Sequence, residues 1–264
     1  MKEIKLYYFT GRPNFGDLLN EYICEKLFNC KVIKAPVNEC EACFIGSILN
    51  PFFNRNLSYE NLEPLNIWGS GLIDKIPMKK KFIRRANIYA LRGKVTKMYL
   101  EAHKVQVSDN VVLGDPGLLC SKVFTDKIEK EYDWGIIPHY VDRNNINLKK
   151  LNLPNSIKLD ICERPEILIP KILKCKKIIA SAMHGLIVAD SFGIPNIRMI
   201  LDDKMIGGDF KFNDYYSAFN IVNHTKLDLR KVEHVLTDIP FEYLITKDQV
   251  EKIQNDLIGS FPYA

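Results

Sequence analysis

Between Lys176 and Met199 the chain reads KKIIASAMHGLIVADSFGIPNIRM, and few folds accommodate such a segment. Ile178, Ile179 and Ala180 form a short apolar run that suits a strand covered on both faces, and Ser181 to His184 make a turn. Leu186, Ile187, Ala189 and Phe192 then recur at helical spacing, and Gly193 with Ile194 and Pro195 stops the helix before a second strand, Asn196 to Leu201. Strand, turn, helix, tight turn, strand is the pattern of an open α/β sheet, where ligands bind at the strand-to-helix ends. The first N–H groups of such a helix are unpaired and its dipole is positive there, so an anion is favoured beside His184, and Gly185 lets it come close. The alternative is that His184 caps the helix or fills a polar gap. This segment alone leaves both readings open.

A chain of 264 residues, 47% of them hydrophobic, can bury one large core or two smaller ones. The net charge of +5 is spread along the chain without a basic stripe interleaved with aromatics, which fits an anionic small molecule or a membrane surface and not nucleic acid. Seven cysteines are an odd number, and the chain opens on a strand instead of a charged and then apolar leader, so a cytoplasmic protein with reduced thiols is expected. No apolar run approaches the roughly 18 residues that span a bilayer. Cys40 and Cys43 form a lone C-x-x-C with no second pair at zinc-ribbon spacing, so no metal site is expected.

Ile4 to Phe9 reads as a first strand, followed by the polar loop Thr10-Gly-Arg-Pro-Asn-Phe-Gly-Asp17. Asp17 is placed to cap a helix whose apolar face is Leu18, Leu19, Tyr22, Ile23 and Leu27. Neither a dinucleotide fingerprint nor a P-loop is present. Further strands are expected at Lys31 to Ala35, Ala42 to Ile45, Leu65 to Trp68, Ile88 to Leu91 and Val111 to Leu113. All but the first end in small residues: Gly46-Ser47, Gly69-Ser70-Gly71, Arg92-Gly93 and Gly114-Asp115-Pro116. In a parallel sheet those ends line the ligand crevice, although any one glycine is explained equally well by its turn. Arg92, Lys94 and Lys97 put three cations at a strand end and a helix start, where acids are normally preferred, which points to an anionic ligand.

A charged stretch around Ser121 to Glu131 reads as a linker into a second unit. Its strands are expected at Trp134 to Pro138, with His139 at the end, then Ile157 to Ile161, Ile178 to Ala180 and Asn196 to Leu201. An amphipathic helix is expected at Pro165 to Cys175, a polar aromatic loop entering a helix at Gly207 to Tyr216 and a last helix at Lys247 to Ile258. The expected fold is α/β, with two Rossmann-like units, residues 1–118 and 119–240, facing across a cleft and a helical segment, 241–264, packing back across them.

In order, Asn14-Phe-Gly-Asp17 with Asn20, Trp68-Gly-Ser-Gly71, Leu91-Arg-Gly-Lys-Val-Thr96, Leu113-Gly-Asp-Pro116, Ser181-Ala-Met-His-Gly185 with Gly193-Ile-Pro195, and Lys211-Phe-Asn-Asp-Tyr-Tyr216 span most of the chain. Together they resemble the polysaccharide pyruvyl transferase family, whose members are similar to two-domain GT-B glycosyltransferases. One departure stands out: many relatives carry an arginine just before the Leu/Met-His pair, where this chain has Ala182. The resemblance implies transfer of a pyruvyl group from phosphoenolpyruvate, as donor substrate and without a cofactor, onto two hydroxyls of one sugar to give a cyclic ketal. It also implies a saccharide acceptor, often lipid-linked, destined for envelope or capsule polymers.

Phosphoenolpyruvate carries a carboxylate and a phosphate on three carbons, so its site needs fixed cations and helix-end N–H groups. The candidates are Arg92, Lys94, His184, Arg198, Lys204 and Lys211. His184, Asp17 and Arg92 are the candidate catalytic residues. Asn14, Gly16, Asn20, Gly69, Ser70, Gly71, His139, Ser181, Met183 and Gly185 join the remaining cations as candidate substrate contacts. Asp115 reads as a turn residue before Pro116, His103, His224 and His234 as solvated, and Trp68 and Tyr215 as core or as sugar-stacking rings. Two rival functions remain: a glycosyltransferase with a nucleotide-sugar donor, with Glu163 as a ribose contact, and a lapsed, sugar-binding relative, which Ala182 keeps open. The cations of Lys79-Lys-Lys-Phe-Ile-Arg-Arg85 read either as a solvated face or as a peripheral contact with the inner membrane surface.

Overall fold

The computed structural model describes residues 1–53, 63–203 and 206–263, which build two sheets of parallel strands. The first sheet takes β1 (Lys2–Leu6), helix α1 (Phe15–Phe28), β2 (Cys30–Lys34), β3 (Ala42–Cys43), β4 (Leu65–Ser70), β5 (Ala86–Leu91), helix α2 (Lys94–Ala102) and β6 (Val112–Leu113). A 3₁₀ turn, Pro116–Leu119, and helix α3 (Cys120–Val123) lead to the second sheet. There follow β7 (Tyr132–Ile137), β8 (Ser156–Lys158), α4 (Pro165–Leu173), β9 (Cys175–Ala180), α5 (Met183–Ser191), β10 (Asn196–Ile200), α6 (Phe210–Ser217), β11 (Lys226–Asp228) and α7 (Lys247–Gly259). None of the described helices is long and apolar enough to cross a membrane.

Strand order places the crevices. The first sheet runs β2-β1-β3-β4-β5-β6, so the chain steps outward from β1 to β2 and then crosses to the other side of β1. The second runs β11-β10-β9-β7-β8 and reverses in the same way about β7. Each sheet therefore has one switch point, between β1 and β3 and between β7 and β9, where adjoining loops diverge and leave space at the carboxyl ends.

The central strands β3, β4 and β10 and the end of β9 are buried on both faces, as parallel sheets require, whereas β1, β2, β8 and β11 keep exposed positions. Ile178 packs in a large core shared with Leu6, Leu19, Ile67 and Leu118 of the first half, whereas its neighbour Ile179 points to a smaller core with Trp134, Met199 and Leu229. Helix α7 opens on a capping box of Thr246 and Gln249. It lies on the first half, where Trp68 Nε1 donates to the Leu257 carbonyl at 3.0 Å and Gln254 Nε2 to that of Leu118 at 2.6 Å.

Several expectations need correction. Strand β1 stops at Leu6, three residues early. Asn14, not Asp17, caps α1: it is extended and its side chain accepts the Gly16 N–H at 3.1 Å, which leaves Asp17 in the first turn. Strand β11 was not anticipated, because three residues beside the edge of β10 carry no periodicity. His103 is buried, with its ring nitrogens 2.6 Å from the Tyr99 carbonyl and 3.3 Å from that of Pro77. Trp68 and Tyr215 are fully buried core residues.

A fully buried ion pair joins the halves. Arg92, at the end of β5, has no exposed surface and donates through Nε to Asp214 of α6 at 2.9 Å. Its other nitrogens donate to Ser47 Oγ at 2.5 Å and to the Leu72 carbonyl at 2.7 Å. Asp214 also accepts the N–H and hydroxyl of Thr96, each at 2.7 Å. Gly93 makes the approach possible, since a Cβ there would stand 1.7 Å from the Asp214 carbonyl oxygen. Asp214→Ala strands a buried guanidinium, so urea unfolding should show a loss of about 3–5 kcal/mol. A loss below about 1 kcal/mol, the scale of an exposed pair, would show that the bond does not hold the halves together.

Candidate active site

Both switch points open into one cavity of about 350 Å³, at the small end of the roughly 300–1,000 Å³ usual for small-ligand sites. Tyr7 and Phe9 follow β1, Gly46, Ser47 and Ile48 follow β3, and Asn14 and Asp17 start α1. From the second half come His139 and Tyr140 after β7, Ala182, Met183 and His184 after β9, and Lys211 from α6.

His184 is in the first turn of α5, so it is not the cap; that position belongs to Ala182, which has no side chain to offer. Its ring lies against Gly16, where a Cβ would stand 1.9 Å from Nδ1. Among the described residues its buried Nε2 has no hydrogen-bond partner; it lies 3.8 Å from Oδ2 of Asp115, which is equally unpartnered there. That gap is too long for a hydrogen bond. Asp115 Oδ1 is held by the Gly117 N–H at 2.9 Å.

Burial sets the charge states. It pushes His184 down to about 3, with Arg92, Lys211 and His139 adding to the effect, and His139 down to about 4, helped by Lys211. The carboxyl of Asp17 is pushed up to about 7 by burial, against the pull of Asn14 and Lys211. Asp115 rises to about 6 for the same reason, opposed by the Gly117 N–H and Arg92. Lys211 falls to about 8 through burial and the nearby Arg92 and Arg198, although Asp142 and Asp17 favour its charge. Among the described residues its ammonium makes no hydrogen bond or ion pair, and it lies 5.5 Å from the centre of the Phe212 ring. A buried, unpaired ammonium beside two neutral imidazoles and the N-terminus of α5 is suited to a multiply charged anion.

Of the residues singled out from sequence, Asn14, Asp17, His139, Met183, His184 and Lys211 line this cavity. Gly16 and Gly185 lie behind it; a Cβ on Gly185 would stand 3.1 Å from Ile137 Cδ1. Ser181 sits one layer back, accepting the His139 N–H at 2.8 Å and donating to Asp142 at 2.5 Å, and so positions His139. Arg92 is not on the wall and reaches the cavity only through its field. Asn20 is framework, since its amide bonds the Asp17 carbonyl and both backbone groups of Ile45.

Gly69, Ser70 and Gly71 form the irregular end of β4 and serve packing. Gly69 adopts φ 81° against Pro116, Ser70 donates to the Phe44 carbonyl, and Gly71 abuts the Arg92 guanidinium. Lys94 is exposed and bonds Asn220 at 2.6 Å. Arg198 lines a second cavity, also of about 350 Å³, where it pairs with Asp209 at 2.7 Å. Lys204 lies outside the described residues. Glu163 pairs with Lys171 at 2.5 Å and lines neither cavity.

Sequence reasoning passed over Tyr7, Ser47, Ile48 and Tyr140 as wall residues, and it read Asp115 as a turn residue. The signal for Asp115 was its place after β6, at a strand end like the others.

The chain belongs to the polysaccharide pyruvyl transferase family, whose pattern matches residues 14–203, and it is accordingly a transferase acting in pyruvyl transfer to polysaccharide. The match includes Asn14, Asp17, Asp115, His139 and His184 and ends before Lys211. The chain is also similar to an uncharacterized protein of Acanthamoeba polyphaga mimivirus, 34% identical over 238 residues that cover 83% of this chain and 76% of the viral one. Gly16→Ala should push the imidazole of His184 aside without disturbing a helical backbone. The expected result is a folded protein with a lowered melting temperature, since overpacking a filled core costs about 1–3 kcal/mol, and with turnover down by about 10²-fold or more; undiminished turnover would mean that the ring position does not matter.

Proposed function

We propose that the enzyme transfers the pyruvyl group of phosphoenolpyruvate onto two hydroxyls of one sugar, forming a cyclic ketal and releasing phosphate. The observation that carries this reading is the buried ammonium of Lys211, unpaired among the described residues, in the same cavity as His184 and as Asp17, whose carboxyl burial pushes up to about 7. Lys211 and the α5 N-terminus hold the phosphate and carboxylate. Asp17 delivers a proton to the methylene carbon, and the positive character that develops at C2 is attacked by the first sugar hydroxyl. Neutral His184 accepts the hydroxyl proton and returns it to the departing phosphate. The second hydroxyl then closes the ring and gives up its proton, which restores Asp17. One proton ends on the new methyl group and one on phosphate, so the scheme balances and calls for no cofactor.

The two units, 1–118 and 119–240, are read as a GT-B-like pair around this cavity, with the acceptor entering from the first. A nucleotide-sugar donor is less well served. The second cavity lies at the carboxyl ends of β10 and β11, but its Arg198 and Lys226 pair with Asp209 and its Arg230 with Asp228. A lipid-linked acceptor at the inner membrane face fits the exposed Lys79, Lys80, Lys81 and Arg85. Arg84 of that run is excluded, because it is buried on the carbonyls of Cys40 and Glu63.

The test is incubation with phosphoenolpyruvate and a panel of galactose- and N-acetylmannosamine-containing acceptors, following phosphate release and ketal formation. His184→Ala should lose about 10² to 10⁴-fold in turnover, and Lys211→Ala should raise KM for phosphoenolpyruvate. Thermal stabilisation by UDP or GDP but not by phosphoenolpyruvate would overturn the reading.

The pH dependence follows from Asp17. It acts as the protonated acid and its raised value is about 7, so turnover should fall as pH rises through that value. A profile flat from about pH 6 to 9 would remove Asp17 as the acid.

A further inference from the structure

We propose that Asp115 is the positioning residue of His184: its free Oδ2 closes on Nε2 when the imidazole takes up a proton, which keeps a proton on Nε2 and turns Nδ1 toward the substrate. The proposal rests on the reading of His184 as the acid–base group of the cavity.

Three buried side-chain atoms lack a hydrogen-bond partner among the described residues, and two of them, Asp115 Oδ2 and His184 Nε2, face each other at 3.8 Å. Burial without a partner costs free energy at each, and a native protein keeps such a pair only where something else is gained. The third, Glu163 Oε2, has no such counterpart, since its carboxylate is already paired with Lys171.

The rest of Asp115 is oriented by its neighbours. Its Oδ1 takes the Gly117 N–H, and the adjoining Pro116 ring fills the space where a Cβ on Gly69 would stand 2.1 Å from Cδ. Bringing Oδ2 to about 2.8 Å from Nε2 needs a shift of only about 1 Å. A small rotation of the imidazole or of the carboxylate supplies it.

Charge explains why this contact matters. The groups around the imidazole are Arg92 at the end of β5, Lys211 on α6, His139 after β7, Asp17 on α1 and Asp115 before the 3₁₀ turn. Asp214 on α6 is already committed to Arg92 and Thr96. The cations oppose an imidazolium, and Asp115 is the carboxylate aimed at the ring nitrogen. Without it, a proton taken from a sugar hydroxyl would be held among cations in a buried, poorly solvated setting. With Nε2 turned inward to Asp115, Nδ1, on the side of Gly16, is left as the nitrogen that can meet a substrate. The arrangement has the logic of a carboxylate that orients a histidine by fixing its tautomer.

Nitrogen-15 histidine spectra of the wild-type protein test this without reference to turnover, with His184 assigned by its absence in His184→Gln. The expected state is a neutral ring protonated on Nε2. A ring protonated on Nδ1 would overturn the proposal.

Asp115→Asn keeps an oxygen for the Gly117 N–H, so circular dichroism should match wild type. In that variant kcat should fall by about 10²-fold or more while KM for phosphoenolpyruvate stays within about threefold. The limb of the pH–rate profile assigned to His184 should also move to lower pH. Unchanged kcat and an unmoved limb would reduce Asp115 to a turn residue. A wild-type protein that consumes no phosphoenolpyruvate with any acceptor would defeat the proposed function, and the tautomer would still decide the Asp115 contact.

Discussion

The buried bond between Arg92 and Asp214 is the constraint on which the cavity depends. An isolated buried pair gains little after desolvation, but this one is saturated: the carboxylate also takes two bonds from Thr96, and the guanidinium also serves Ser47 and Leu72. It therefore acts as a register device that fixes where α6 meets the first half. Lys211 lies one turn before Asp214 on that helix, so the bond that seats α6 also sets the ammonium in the cavity. Ser47, held by the same guanidinium, is part of the opposite wall.

Much of this architecture was legible in the sequence because it is local. Short apolar runs ending in small residues gave the strands, and the segment around His184 gave α5 within its first turn. What could not be read was which of several similar residues meets the ligand. Arg92 and Lys211 both look like anion-binding cations, yet Arg92 finds its carboxylate 122 positions away and Lys211 finds none among the described residues. The glycines mislead for the same reason. Gly16, Gly71 and Gly93 sit where a ligand was expected to approach, and the space beside them is filled by His184, Arg92 and the Asp214 carbonyl. Sequence shows that room is needed at such positions; only long-range packing shows what takes it.

Burial also explains how a site for a strong anion exists without a cluster of bare charge. These side chains are largely withdrawn from solvent, so the imidazoles of His139 and His184 favour the neutral form, Asp17 is drawn toward its protonated form and Lys211 holds its proton less tightly. In the proposed reaction an entering phosphate and carboxylate would reverse the field. Proton affinity at His184, His139 and Lys211 then rises, so substrate binding itself prepares His184 to take up a proton.

Such a scheme places demands on rigidity. Asp17 comes from the first half, His184 and Lys211 from the second, and their relative positions must hold while protons pass among them. A misplacement of about 1 Å costs on the order of 10²-fold in rate. Two units joined only by a flexible linker would meet that condition by closing on the substrate. Here the ion pair, the contact of Gly93 with α6 and the seating of His184 on Gly16 hold the halves in register at the cavity itself. To that extent the cavity is preorganised, which in the proposed reaction would leave binding energy from the substrate for charge stabilisation.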